Sequence, residues 1–155
     1  MRRALRAAET ADSMMSYADI STKRVTAEDG IEYAYRDVGT GDVPLVALQH
    51  FRGNLDNWDP ALIDDLSAER RVVLFDNVGV AGTSGRTPNT VAMMARGAIA
   101  FIEAMGFTTI DLLGFSIGSF VAQEIALTRT EALRRVVLAS SAPQARRACT
   151  AGRRR

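Results

Sequence analysis

The stretch Thr109-Ile110-Asp111-Leu112-Leu113-Gly114-Phe115-Ser116-Ile117-Gly118-Ser119-Phe120-Val121-Ala122 constrains the fold of this chain most. An apolar run enters Gly-x-Ser-x-Gly and a helix-compatible run leaves it, which reads as strand, sharp turn, helix. A serine on so tight a turn sits in a cramped backbone conformation. Side chains two residues before it and two after it would collide, so both positions must be very small. They are Gly114 and Gly118. The five-residue pattern alone is weak; between a buried strand and a helix it gains specificity. A plain glycine-rich strand-to-helix turn is the alternative reading.

The rest of the chain alternates in a way that fits such a unit. Thr22 to Thr26 reads as a polar, edge-like strand. Ile31 to Val38 alternates apolar and polar as a half-buried strand does, and Asp29-Gly30 between them reads as a hairpin turn. Pro44 to Gln49 and Arg71 to Asp76 are continuous apolar runs of the kind found in strands covered on both faces. A helix is expected over Asp56 to Ser67, with Trp58, Leu62, Ile63 and Leu66 at helical spacing. A second is expected from Val91 to Met105, capped by Asn89 or Thr90 and stopped by Gly106, and a third from about Ser119 to Thr128. Arg134 to Ala139 is the last strand. After the opening hairpin the order is β-α-β-α-β-α-β. This predicts a doubly wound, mostly parallel α/β sheet with an N-terminal antiparallel hairpin. In such a sheet, sites form at the carboxyl ends of the strands.

The 155 residues are enough for one domain with a real core, and 47% hydrophobic content with 24% charge is ordinary for a soluble protein. The formal charge of +1 hides an uneven distribution. Arginines cluster at both ends, whereas residues 24–143 hold ten arginines against fifteen carboxylates. The basic ends read as solvated clusters, and no nucleic-acid partner is expected. Residues 1–22 read as a flexible extension, residues 23–143 as the folded domain and residues 144–155 as a disordered Arg-rich tail. Met14 and Met15 are candidate natural starts, which the mass of the native N-terminus checks. A reading frame lost near Pro143 would explain the tail, and resequencing the gene checks that. Cys149 is the only cysteine, so no intrachain disulfide forms and a reducing, cytoplasmic setting is expected. No run approaches the ~20 apolar residues of a membrane span, and no apolar leader is visible. One His and one Cys build no ordinary metal cluster, so neither a metal nor another cofactor is expected.

Three separated motifs now stand in order: Gln49-His50-Phe51-Arg52-Gly53 with Trp58, Asp76-Asn77-Val78-Gly79 with Gly82 and Ser84-Gly85, and Gly114 to Gly118. With them, residues from about Lys23 to Pro143 resemble the N-terminal portion of an α/β-hydrolase domain, a truncated core of that fold. The subgroup they resemble most comprises bacterial serine hydrolases similar to cofactor-free haloperoxidases and small esterases. The resemblance implies Ser116 as nucleophile and a small-molecule acyl substrate. It implies an oxyanion hole from the backbone N–H groups of Ile117 and Phe51. His50 and Asp76 are then expected near the substrate pocket, with Asp76 either a pocket hydrogen-bonder or a loop cap. The family usually reads His-Gly-Phe where this chain reads Gln49-His50-Phe51, which places Gln49 at the usual histidine.

The departure with most consequence is the missing base. Triad order in this fold is Ser, then Asp or Glu, then His. The one histidine, His50, precedes the nucleophile, and the only later carboxylates are Glu124 and Glu131. His50 as the base is one reading; a loop residue by the pocket is the other. Weak or absent turnover is expected of the chain by itself. A non-catalytic truncated module that self-associates or pairs with a partner chain through an exposed sheet edge is the competing function. A nucleotide-binding domain finds no support, since neither Gly-x-Gly-x-x-Gly after the first parallel strand nor a P-loop is present.

Overall fold

A computed structural model describes residues 16–143. The expectations for residues 1–15, for Cys149 and for the tail 144–155 lie outside those residues. Six strands form one sheet: β1 Lys23–Thr26, β2 Glu32–Val38, β3 Leu45–Leu48, β4 Val72–Phe75, β5 Ile110–Phe115 and β6 Leu133–Ala139. Their spatial order is β1-β2-β4-β3-β5-β6. The first two pairings, β1 with β2 and β2 with β4, are antiparallel; the pairings among β4, β3, β5 and β6 are parallel. The opening hairpin and the parallel sheet are therefore as the sequence predicts. The sequence did not indicate that β2 reaches past β3 to pair with β4, matching Tyr35 to Phe75 and Val38 to Val72.

Three helices among the described residues cover the sheet: α1 Pro60–Glu69, α2 Val91–Ala104 and α3 Ile117–Thr128. The pleat sorts side chains between two cores. On β4, Val73 and Phe75 join Val46, Leu48, Phe101, Ile110, Leu112 and Ile125 beneath α2 and α3. Val72 and Leu74 join Ala47, Leu55, Trp58 and Ile63 beneath α1. Phe75 stacks on Phe101 with centroids 4.2 Å apart, and the Tyr33 hydroxyl donates to the Gly97 carbonyl at 2.9 Å. These contacts seat α2 on the central strands. No helix among the described residues is long and apolar enough to cross a membrane.

Two segments differ from expectation for local reasons. The helix expected from Asp56 begins at Pro60. Asp59 caps it by accepting from the Ala61 N–H, and proline at the first helical position needs no hydrogen bond there. Leu55–Asn57 forms a separate 3-10 turn, and Leu62 faces solvent while Trp58 and Ile63 stay buried. Residues 16–20, assigned to a flexible extension, are docked. The Ser16 hydroxyl and the Tyr17 N–H both donate to the Asp64 carboxylate on α1, at 2.8 and 2.6 Å. The Tyr17 ring is buried in the α1 core and its hydroxyl donates to the Leu55 carbonyl. The boundary expected after residue 22 thus falls inside this arrangement.

Strand β6 closes one side of the sheet as an edge. Its Val136, Val137 and Leu138 are 37, 54 and 43% exposed, although their run is as apolar as those of the buried central strands.

Candidate functional site

Ser116 sits where β5 ends and α3 begins, at the carboxyl end of the parallel strands. Its φ of 54° and ψ of −119° put a non-glycine residue in a left-handed conformation, a strain of about 1–3 kcal/mol. The turn is held on both sides. The Ser116 N–H donates to the Ala139 carbonyl of β6 at 3.0 Å. Its carbonyl accepts from the Ser119 N–H and from the Ser119 hydroxyl, at 2.9 and 2.6 Å. The Ser116 hydroxyl makes no cap bond to the helix and has no hydrogen-bond partner among the described residues. The two glycines do what their spacing requires. A Cβ on Gly114 would meet the Gly118 carbonyl and Ser119 Cα in the first turn of α3. A Cβ on Gly118 would strike the Leu48 carbonyl and the Gln49 carbonyl at the end of β3.

The loop after β3 faces this turn. His50 to Gly53 is a tight turn, with the Gly53 N–H donating to the His50 carbonyl at 3.0 Å and Arg52 at φ 60°. Gln49 is buried, and its Oε1 accepts from the His50 N–H at 2.9 Å. That leaves Gln49 Nε2 without a partner among the described residues. The His50 ring lies edge-on to Phe115, and its Nδ1 is 3.0 Å from the Phe51 carbonyl oxygen. Phe51 itself is 64% exposed.

A cavity of about 700 Å³ opens beside the elbow. Phe51, Arg52 and Asn54 line it from the loop after β3, Asn77, Gly79 to Ala81 and Thr87 to Thr90 from the loop after β4, Val91 and Met94 from α2, and Ile117 from α3. Phe51 and Ile117, the two residues expected to give oxyanion N–H groups, thus border one space. As the first residue of α3, Ile117 has an N–H with no partner within the helix, at the positive end of the helix dipole. Ser116 adjoins this lining through Ile117 without being part of it.

His50 and Asp76 stand outside the lining. Asp76 is 3% exposed at the end of β4, and its carboxylate is fully engaged. Oδ1 accepts from the Leu55 N–H at 2.8 Å and Oδ2 from the Gly82 N–H at 3.0 Å. Its backbone carbonyl accepts from the Thr83 hydroxyl. Burial pushes its carboxyl above the usual carboxylate range, and the two N–H donors oppose that shift. Asp76 therefore ties the two loops that wall the cavity. Sequence reasoning had not singled out Arg52, Asn54, Asn77 or Asn89 as wall residues. The signal available was their place in the loops that follow two buried strands. Among the described residues, no group of three His, Cys, Asp or Glu side chains could hold a metal ion.

Comparison with known proteins agrees with this geometry. A family model described as the alpha/beta hydrolase fold matches residues 43–149. An alpha/beta hydrolase fold protein from Chitinophaga pinensis superposes with a TM-score of 0.81 at 41% identity, over 84% of this chain and 47% of that one. A Mycobacterium tuberculosis protein bearing the name non-heme bromoperoxidase BpoC is 33% identical over 109 residues, 70% of this chain and 41% of its own length. An Azorhizobium caulinodans protein named as the carbamate hydrolase RutD is 28% identical over 114 residues, 72% of this chain and 42% of its own. The chain spans less than half the length of each of these relatives. With the 1-2-4-3-5-6 strand order, the strained serine between Gly114 and Gly118 and the family match across most of the described residues, the chain belongs to the α/β-hydrolase family.

Proposed function

We propose that Ser116 is the nucleophile of an acyl-transfer hydrolase acting on small-molecule esters. The observation that carries this reading is the serine's own backbone. A left-handed, non-glycine residue at a strand-to-helix turn presents a hydroxyl that no described group engages. Such strain persists where the surroundings enforce it, and it gathers at active sites. Hydrolase names among the relatives support the reaction class.

In the reaction, Ser116 Oγ bonds to the ester carbonyl carbon while its proton passes to a base. The carbonyl oxygen becomes an oxyanion, accepting from the Ile117 N–H and, as second donor, the Phe51 N–H. Collapse breaks the C–O bond to the alcohol, which leaves with that proton. Water then adds to the acyl-enzyme, releases the carboxylic acid and returns the proton to Ser116. The base required is an imidazole oriented by a carboxylate. No histidine follows Ser116 in the sequence, and the His50 ring is turned toward its own loop. The chain by itself therefore acylates slowly.

Fluorophosphonate labelling read by intact mass tests this. Slow modification, confined to Ser116 and absent from Ser116→Ala, is expected over hours. Labelling that persists in Ser116→Ala refutes the nucleophile. Fast stoichiometric labelling of Ser116 would show that the chain already contains its base.

A second reading rests on β6. Among the described residues no strand pairs with the outer edge of β6; such an apolar edge pairs readily with its own kind, and an isologous β6–β6 contact is the simplest arrangement that satisfies both edges. Sedimentation velocity is expected to show a concentration-dependent dimer that Val137→Lys abolishes. A monomer at all concentrations, or a dimer indifferent to the lysine, rejects it.

A further inference from the structure

Arg52 is the only ionisable side chain among the described residues that line the cavity beside Ser116. It is exposed, and no carboxylate among the described residues pairs with it. Two carboxylates that flank this loop system are committed elsewhere: Asp56 pairs with Arg36 at 2.7 Å, and Asp76 is buried on two backbone N–H groups. Among the described residues, the rest of the wall carries no negative charge. Asn54, Asn77 and Asn89 give it amide groups, while Val80, Val91 and Met94 make it partly apolar. The positive end of α3 opens on the same space at Ile117.

The backbone adds an independent observation. Arg52 occupies the third position of the His50–Gly53 turn at φ 60°, where glycine or asparagine is the unstrained choice. The chain keeps a long cation at a position whose conformation disfavours it. Nothing in the fold uses that cation: among the described residues it makes no ion pair and no hydrogen bond. Its use is then toward what enters the cavity.

We infer that Arg52 selects substrates carrying a carboxylate away from the scissile ester, so that the site takes half-esters of dicarboxylic acids in preference to neutral diesters. A guanidinium meets a carboxylate through two parallel N–H donors, which fixes orientation as well as charge. The cavity volume accommodates an acyl chain of several carbons between that contact and the elbow. This inference rests on the reading of the elbow as the reacting end. Its test reads binding alone, so its failure is distinct from a failure of the Ser116 labelling.

The probes are monoethyl adipate and diethyl adipate, which share one acyl skeleton and differ in one charge. Titration into the full chain at low salt, followed by NMR or calorimetry, is expected to give at least tenfold tighter binding of the monoester. Arg52→Gln is expected to erase the preference, and Arg52→Lys to retain part of it. Arg52→Gly removes the cation and relieves the turn, so it should lose the preference while melting no lower than the unaltered chain. That combination does not arise if Arg52 merely holds the loop together. Equal binding of the two esters, no measurable monoester binding, or a preference that survives Arg52→Gln would overturn the inference.

Discussion

Gly118→Ala is expected to lower the melting temperature by roughly 10 °C, corresponding to a loss of about 3 kcal/mol. The added methyl would lie against three backbone atoms: the carbonyl oxygen and carbon of Leu48 and the carbonyl oxygen of Gln49. A flexible side chain could rotate away, but these atoms cannot. Strand β3 lies between β4 and β5 and is bonded to both, so shifting its end disturbs two ladders. The other way to relieve the clash is to lift α3, which carries Ser119, Val121, Ala122 and Ile125 out of the core. Gly106→Ala is the control. Gly106 has φ 70° and nothing within 4 Å of its added Cβ, so it suffers backbone strain alone, of about 1 kcal/mol. Thermal and denaturant melts of both variants measure the gap. A Gly118→Ala protein as stable as Gly106→Ala would mean that the elbow is looser than its geometry implies.

The legible part of this fold is the part written in burial. Leu45–Leu48 and Val72–Phe75 are buried throughout, and a strand covered on both faces has no polar position to break its run. The glycines of the elbow were legible for a similar reason: the first turn of α3 presses on Gly114, and the end of β3 presses on Gly118. What failed to show is what depends on partners distant in the chain. The pairing of Tyr35 with Phe75 joins residues 40 apart and has no local signature. Strand β6 reads in sequence like a central strand, yet its valines meet solvent, because sequence records the apolar character and not the neighbour that covers it. The start of α1 was legible in Asp59-Pro60, a cap followed by proline, but hydrophobic spacing through Trp58 pointed to an earlier start.

The site divides along the same line. Ser116 follows from a motif whose geometry is local. The placing of Arg52 does not, because a left-handed arginine is anomalous only once its φ is known. Gln49 illustrates the limit of a family pattern. Where the resemblance leads one to expect a histidine, the Gln49 amide oxygen accepts from the His50 N–H and fixes the loop.

The second large effect concerns the opposite end of the sheet. Asp111 is 2% exposed near the start of β5, where sequence patterning offered only a polar residue inside an apolar run. It gathers two arginines. Arg134 on β6 donates to it through Nε at 2.9 Å and Nη2 at 2.8 Å, and Arg70 after α1 through Nη2 at 2.7 Å. Chiefly through the Arg134 bonds, against an opposing burial cost and with help from Arg70, its carboxyl is lowered from 3.8 to about 2. Because the folded value is depressed, the stabilisation is fully present above the unfolded value and is lost as pH falls through the folded one. Asp111→Asn is therefore expected to cost about 2 kcal/mol at pH 7, a drop of roughly 4–8 °C in melting temperature. The arginines are 27 and 44% exposed and can turn to water when released, which holds the loss below that of a fully buried pair. The diagnostic is the shape of the pH curve. Between pH 4 and 2 the unaltered protein loses this contribution, while the asparagine variant has none to lose, so the stability difference should close across that window. Denaturant unfolding of both proteins from pH 7 down to pH 2 measures it. A difference that stays constant with pH would mean that the asparagine disturbs packing and that the ion pairs contribute little. Since Arg134 ties the edge strand β6 to β5, the same variant should also loosen the Ser116 N–H bond to Ala139. Faster amide exchange at Ser116 in Asp111→Asn would then link the ion cluster at one end of the sheet to the elbow at the other.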